Sequence, residues 1–139
     1  MRVVAIDLGS KRIGVAVSDA SGTIASPLTV IARSGSRDAD HRAIAGVVAE
    51  YEAVRVVVGL PLTLAGSTGT AARAAIEEAA AIARVVDVPV ETFDERLTTV
   101  AADAILRERG MRAEARRRLV DKVAAAVMLQ SWLDSRDPS

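Results

Sequence analysis

Three carboxylates, Asp7, Glu95 and Asp121, sit where an acid needs an explanation. Asp7 ends the apolar run Val3-Val-Ala-Ile6, and an ionised group there costs several kcal/mol unless it is paired, hydrogen-bonded or bound to a metal. Glu95 lies in Asp94-Glu-Arg-Leu-Thr-Thr99, directly after the apolar stretch Val88 to Phe93. Asp121 precedes Ala124, Ala125, Met128 and Trp132 at helical spacing, on a face that should meet the core. Three acids from separate elements, aimed at one place, make an oxygen-rich site for hard divalent cations such as Mg²⁺ or Mn²⁺. Two such ions about 4 Å apart activate a water and stabilise the leaving oxygen in phosphodiester hydrolysis. That chemistry needs no histidine base, and the sole histidine, His41, reads as a surface residue at the start of a helix.

Each acid also has a plainer reading. Asp7 could accept hydrogen bonds from the turn amides of Gly9 and Ser10. Glu95 or its neighbour Asp94 could favour a helix N-terminus through the macrodipole, and spacing does not say which of the two points inward. A helical Asp is usually solvated, but the apolar face beside Asp121 argues against that fate.

Several segments could face a phosphate. Gly9-Ser10-Lys11-Arg12 offers backbone amides, a hydroxyl and two cations beside Asp7. Gly66, Ser67, Thr68 and Gly69 precede a helix and form either a second cradle or an ordinary loop. The Gly-Lys-Ser/Thr ending of a P-loop is missing. Arg96 could orient an acid or contact a phosphate. The run Arg107, Arg109, Arg112, Arg116, Arg117, Arg118 and Lys122 is either a solvated face or a nucleic-acid contact.

The elements that must position these residues are legible. Arg2 to Leu8, Arg12 to Ser18 and Thr23 to Ala32 predict an antiparallel meander. Asp38 to Glu52 carries Ile44, Val47, Val48 and Tyr51 at helical spacing. Val54 to Leu60 suits a strand buried on both faces. Thr70 to Val86 predicts an alanine-rich helix with Ile76 and Ile82 among its apolar positions, and Val88 to Phe93 a fifth strand. Helices follow over Thr98 to Arg109, stopped by Gly110, and over Ala113 to Leu133. The order β-β-β-α-β-α-β-α-α predicts an α/β domain spanning residues 1–139. Its five-stranded mixed sheet has three antiparallel strands, then two parallel ones, flanked by helices, the arrangement of the ribonuclease H-like fold.

Composition narrows the function classes. Aromatics are only Tyr51, Phe93 and Trp132, too few for stacking bases on a sheet face. Net charge is zero, so attraction to phosphate must come from local asymmetry. Without cysteine there is no disulfide scaffold, no thiolate chemistry and little prospect of zinc, as expected of a cytoplasmic protein. The opening apolar run is too short for a signal peptide, and no stretch approaches a membrane span.

Four ordered motifs resemble those of the YqgF or RuvX family, relatives of the RuvC resolvases: Asp7-Leu-Gly-Ser-Lys-Arg-Ile-Gly14, Gly59-Leu-Pro61 with Gly66 and Gly69, Asp94-Glu-Arg-Leu-Thr-Thr99, and Asp121-Lys-Val-Ala-Ala-Ala126. The likeness covers nearly the whole chain. It implies a ribonuclease H-like nuclease that processes the 5′ end of the 16S rRNA precursor, with Asp7, Glu95 and Asp121 as catalytic acids and Glu95 preferred over Asp94. RuvC has a catalytic Glu after its fourth strand where this chain has Gly59-Leu60-Pro61, so junction specificity does not carry over. RNA is the favoured partner and branched DNA the alternative; a homodimer would matter for paired cuts. Other readings are a non-catalytic RNA-binding maturation factor and an ATP-dependent phosphotransferase of the actin and sugar-kinase fold. The latter needs a second copy of the hairpin, which is missing.

Overall fold

A computed structural model describes residues 1–61, 69–94 and 113–136, the side chains of 113–122 excepted. The strands are β1 (Val3–Leu8), β2 (Arg12–Ser18), β3 (Ala25–Ala32), β4 (Arg55–Leu60) and β5 (Val90–Asp94). The described helices are α1 (Arg37–Glu50), α2 (Thr70–Ala83) and α3 (Ala113–Ser135). The predicted helix over 98–109 lies outside the described residues.

The sheet order is β3-β2-β1-β4-β5, with β1 in the centre. β1 to β3 are antiparallel, whereas β4 runs parallel to β1 and β5 parallel to β4. The α/β class and the mixed five-stranded sheet are therefore as the sequence predicts. Crossover connections that include a helix, α1 before β4 and α2 before β5, let the last two strands repeat the direction of the first.

Alternation along the strands splits the core in two. Val4, Ile6, Val56 and Val58 point to one face and pack with Ile44 and Val48 of α1 and Ala79 and Ile82 of α2. Val3, Ala5, Ala16 and Val57 point to the other face and pack with Ala125, Met128, Leu129 and Trp132 of α3. A strand covered on both faces must be apolar throughout, which is why β1 and β4 read as unbroken runs.

Element ends differ from the predicted ones for identifiable reasons. β3 starts at Ala25 because the Asp19 carboxylate accepts from the Thr23 and Ile24 amides at 2.8 and 3.1 Å, holding both residues in a turn. α1 begins after Ser36, whose hydroxyl accepts from the Ala39 amide, and stops before Glu52, whose φ of 52° is left-handed. Ile76 is 45% exposed, so it is Ala72, Ala75, Ala79 and Ile82 that form the buried stripe of α2.

α3 is pinned at the Val3 end of the sheet. The Gln130 amide nitrogen donates to the Thr23 carbonyl and its oxygen accepts from the Ala25 amide, both at 2.9 Å. Val3 itself donates its amide to the Ser18 hydroxyl at that same end. Trp132 donates its indole N–H to Glu91, which also accepts from Arg55 at 3.1 Å.

Candidate functional site

The carboxyl ends of β1, β4 and β5 lie side by side, because Ile6 pairs with Val58 and Leu60 with Asp94. Asp7 comes one step beyond Ile6, so alternation places it on the α3 face with Val3 and Ala5. Its antiparallel partner is Gly14, which has no side chain to fill the space beside the carboxylate. Asp7 is half-buried, at the point where the central strand leaves the core.

Asp94 occupies the opposite face. Along β5, Glu91 and Phe93 turn toward α3, whereas Val90 packs against the α1–α2 core and Asp94 has the parity of Val90.

The Gly9 to Arg12 turn closes on itself and lines a small open concavity of about 210 Å³. Its Gly9 amide donates to the Arg12 carbonyl at 2.9 Å. A Cβ on Gly9 would stand 2.4 Å from that carbonyl oxygen, so only glycine permits the approach. Ser10 and Lys11 are exposed at the rim.

The turn is also held from behind, by residues that the reading of the sequence did not single out. Arg33, just after β3, donates its backbone N–H to the Lys11 carbonyl at 2.9 Å and its Nε to the Gly9 carbonyl at 3.0 Å. Its two terminal nitrogens grip Glu78 of α2 at 2.6 and 3.1 Å. Glu78 is buried and also meets His41 Nε2 of α1 at 2.8 Å. Burial by itself would push the Glu78 carboxyl up, but the Arg33 and His41 hydrogen bonds outweigh it and hold the group below its ordinary value. Glu78 in turn raises the Arg33 guanidinium. Asp40, buried beside them, is held low by the hydroxyl and amide of Ser34.

The reading of His41 as a surface residue is therefore corrected. It is 3% exposed and faces Glu78 across the α1–α2 contact. The signal was available: His41 precedes Ile44 and Val48 on one helical stripe, and Glu78 lies between Ala75 and Ile82 on another.

Among the predicted site residues, Asp7, Gly9, Ser10, Lys11 and Arg12 are gathered at one end of β1. Asp121 lies within α3, and Ala124, Ala125, Met128 and Trp132 beyond it are all buried against the sheet. Glu95, Arg96, Gly66 and Ser67 lie outside the described residues, as do Arg107, Arg109 and Arg112 of the arginine-rich run, whose Arg116, Arg117, Arg118 and Lys122 fall on α3. Among the described residues no group of three or more acidic, histidine or cysteine side chains forms a metal cluster, and no helix is long and apolar enough to cross a membrane.

Comparison with known proteins adds an independent line. The family model described as RuvX, Holliday junction resolvase, matches residues 1–135. A relative from Mycobacterium sp. (strain KMS), named "Putative pre-16S rRNA nuclease", is 53% identical over 97% of this chain and 80% of its own length. One of the same name from Rhodococcus opacus (strain B4) is 49% identical over 99% of this chain and 80% of its own. Among solved structures, RuvC of T. thermophilus in complex with a Holliday junction substrate superimposes with a TM-score of 0.61, covering 99% of this chain and 97% of that one. At 19% identity that likeness speaks for the ribonuclease H-like fold alone.

Proposed function

Because the chain belongs to the RuvX family, we propose that it is a nuclease that hydrolyses phosphodiester bonds of the 16S rRNA precursor, with Asp7, Glu95 and Asp121 as its catalytic and metal-holding acids. The observation that carries this reading is Asp7 on the α3 face at the end of the central strand, opposite Gly14 and beside the Gly9–Arg12 turn.

Geometry supports the other two acids indirectly. Asp94 lies on the face away from Asp7, which favours its neighbour Glu95. Gln130 anchors α3 at the Val3 end of the sheet. The helical rise from there back to position 121 is about 13 Å, the same as the length of β1 from Val3 to Asp7, which supports Asp121 as the third acid.

The donor set fits Mg²⁺ or Mn²⁺, both of which prefer carboxylate oxygens, and Gly14, the strand partner of Asp7, adds no side chain that would compete for its carboxylate. When bound, two such ions lower the pKa of a water and neutralise charge on the leaving oxygen. The acids would serve as oxygen ligands, the proton released by the attacking water passing to bulk solvent and the leaving oxygen taking its proton from solvent. Lys11 and Arg12 offset the phosphate charge, and Ser10 offers a hydroxyl to a phosphate oxygen. Gly66, Ser67 and Arg96 are assigned to substrate binding with them. His41, the chain's only histidine, is committed to Glu78 and takes no part as a base.

Residues 1–139 act in this reading as one nuclease domain working on RNA in the cytoplasm. The test is cleavage of precursor 16S rRNA, single-stranded RNA and a four-way DNA junction side by side with Mg²⁺ or Mn²⁺. Preferential cut at the 5′ side of the precursor is expected. Preference for the junction, with paired cuts by a dimer, would replace RNA by branched DNA as substrate, and no cleavage of any of them would overturn the enzyme reading in favour of a non-catalytic RNA-binding factor.

A further inference from the structure

We propose that Arg33 is the positioning residue of the Gly9–Arg12 turn: gripped by Glu78, which His41 holds in turn, it fixes the turn in the shape that receives the substrate phosphate. The inference rests on the assignment of that turn as phosphate-facing.

Arg33 reaches the turn twice, by its backbone N–H to Lys11 and by Nε to Gly9. The two accepting carbonyls flank Ser10, so both ends of its short segment are fixed. A guanidinium suits this task because its planar fork gives Nε to one acceptor and both terminal nitrogens to another at once. The second acceptor is Glu78, on a helix of the opposite layer, and its Oε2 is shared with His41. The chain of contacts therefore runs from α1 and α2, through one buried carboxylate, to the loop beside Asp7.

Surface ion pairs contribute little, and this one is of another kind: the side chains of Glu78 and His41 are 5% and 4% exposed, that of Arg33 19%. A partly satisfied polar cluster at such a place is costly, so its members hold one another in a single geometry. Among the described residues, the carbonyls that Arg33 meets outside its own strand ladder are those of Gly9 and Lys11, both in the turn. Stability of the core alone would not require that connection.

The test compares the full-length protein with Arg33→Lys, which keeps the charge and loses the fork. Amide exchange of Gly9, read against core amides such as Val58, should speed up about tenfold or more in the variant while the core is unchanged. Cleavage of precursor rRNA should fall about 10- to 100-fold in kcat, as expected when a positioned group shifts by about 1 Å. In a Lys11→Ala background the same substitution should cost less than about threefold, because it acts through the turn. Unchanged Gly9 exchange, or the same fold loss of cleavage in both backgrounds, would overturn the proposal.

If Arg33→Lys does not fold, Glu78→Gln, which keeps volume and one acceptor, is read by the same measurements. A wild-type protein that cleaves nothing would sink the nuclease reading, and Gly9 exchange then decides the positioning claim by itself.

Discussion

Asp7 of the central strand pairs in antiparallel register with Gly14, so the one carboxylate of β1 faces the one residue of β2 that has no side chain. On a pleated pair, opposite Cβ atoms stand about 5 Å apart, and a side chain at 14 would occupy the space beside the acid. Gly14→Val should therefore cut cleavage by about 100-fold while the protein still folds, with an overpacking cost of about 1–3 kcal/mol. Urea denaturation and single-turnover kinetics on the same sample separate the two effects.

Gly9→Ala tests the turn by shape alone. A Cβ 2.4 Å from the Arg12 carbonyl oxygen cannot be accommodated without moving backbone, so the Gly9–Arg12 hydrogen bond should open. Loss of about 1–3 kcal/mol is expected, together with lost protection of the Gly9 amide. A variant as stable and as protected as the parent would contradict the geometry of the turn.

Glu78→Ala and Arg55→Ala contrast a buried ion cluster with a half-exposed one. Removing Glu78 strands Arg33 and His41 and should cost about 3–5 kcal/mol. Arg55 and Glu91 are each about one-third exposed, so losing Arg55 should cost below about 1 kcal/mol. Equal costs in denaturant melts would show that the cluster is not holding α1 and α2 to the turn.

Acid should weaken the fold through the carboxylates that native contacts hold low. Asp19, bonded to the Ser21 hydroxyl and the Ile24 and Thr23 amides, is lowered from 3.8 to about 2, and Glu78 is lowered as well. A depressed native pKa contributes stability that is complete above the unfolded value and lost as pH falls through the native one. The Asp19 contribution should therefore fade between about pH 4 and pH 2, and Asp19→Asn should flatten that part of the stability profile. A stability curve identical in Asp19→Asn and the parent would refute the capping role.

The five strands, their directions and the acid that ends the first were legible because strand periodicity and burial on two faces leave strong marks, as in Val54 to Leu60; the lateral order of the strands came from the structure. Element ends were less so. The Asp19 turn borrowed two residues from the predicted third strand through a side chain, and no periodicity encodes that. The support behind the turn was hidden for a different reason. Arg33, His41 and Glu78 are brought together by tertiary packing from three separate elements, and a polar residue on an apolar stripe acquires meaning only when its partners are known. Spacing could not separate Asp94 from Glu95, and the face of Asp94 follows only from the packing of β5.

The most direct measurement of the central claim is metal-dependent cleavage of precursor 16S rRNA by Asp7→Asn. The substitution keeps the shape of a side chain that faces Gly14, and removes the charge that would hold a divalent ion. Cleavage should fall by at least about 1,000-fold with melting temperature and amide exchange of β1 preserved, because a site that loses one of its acids loses metal and water activation together. Undiminished cleavage by a folded Asp7→Asn protein would contradict the account.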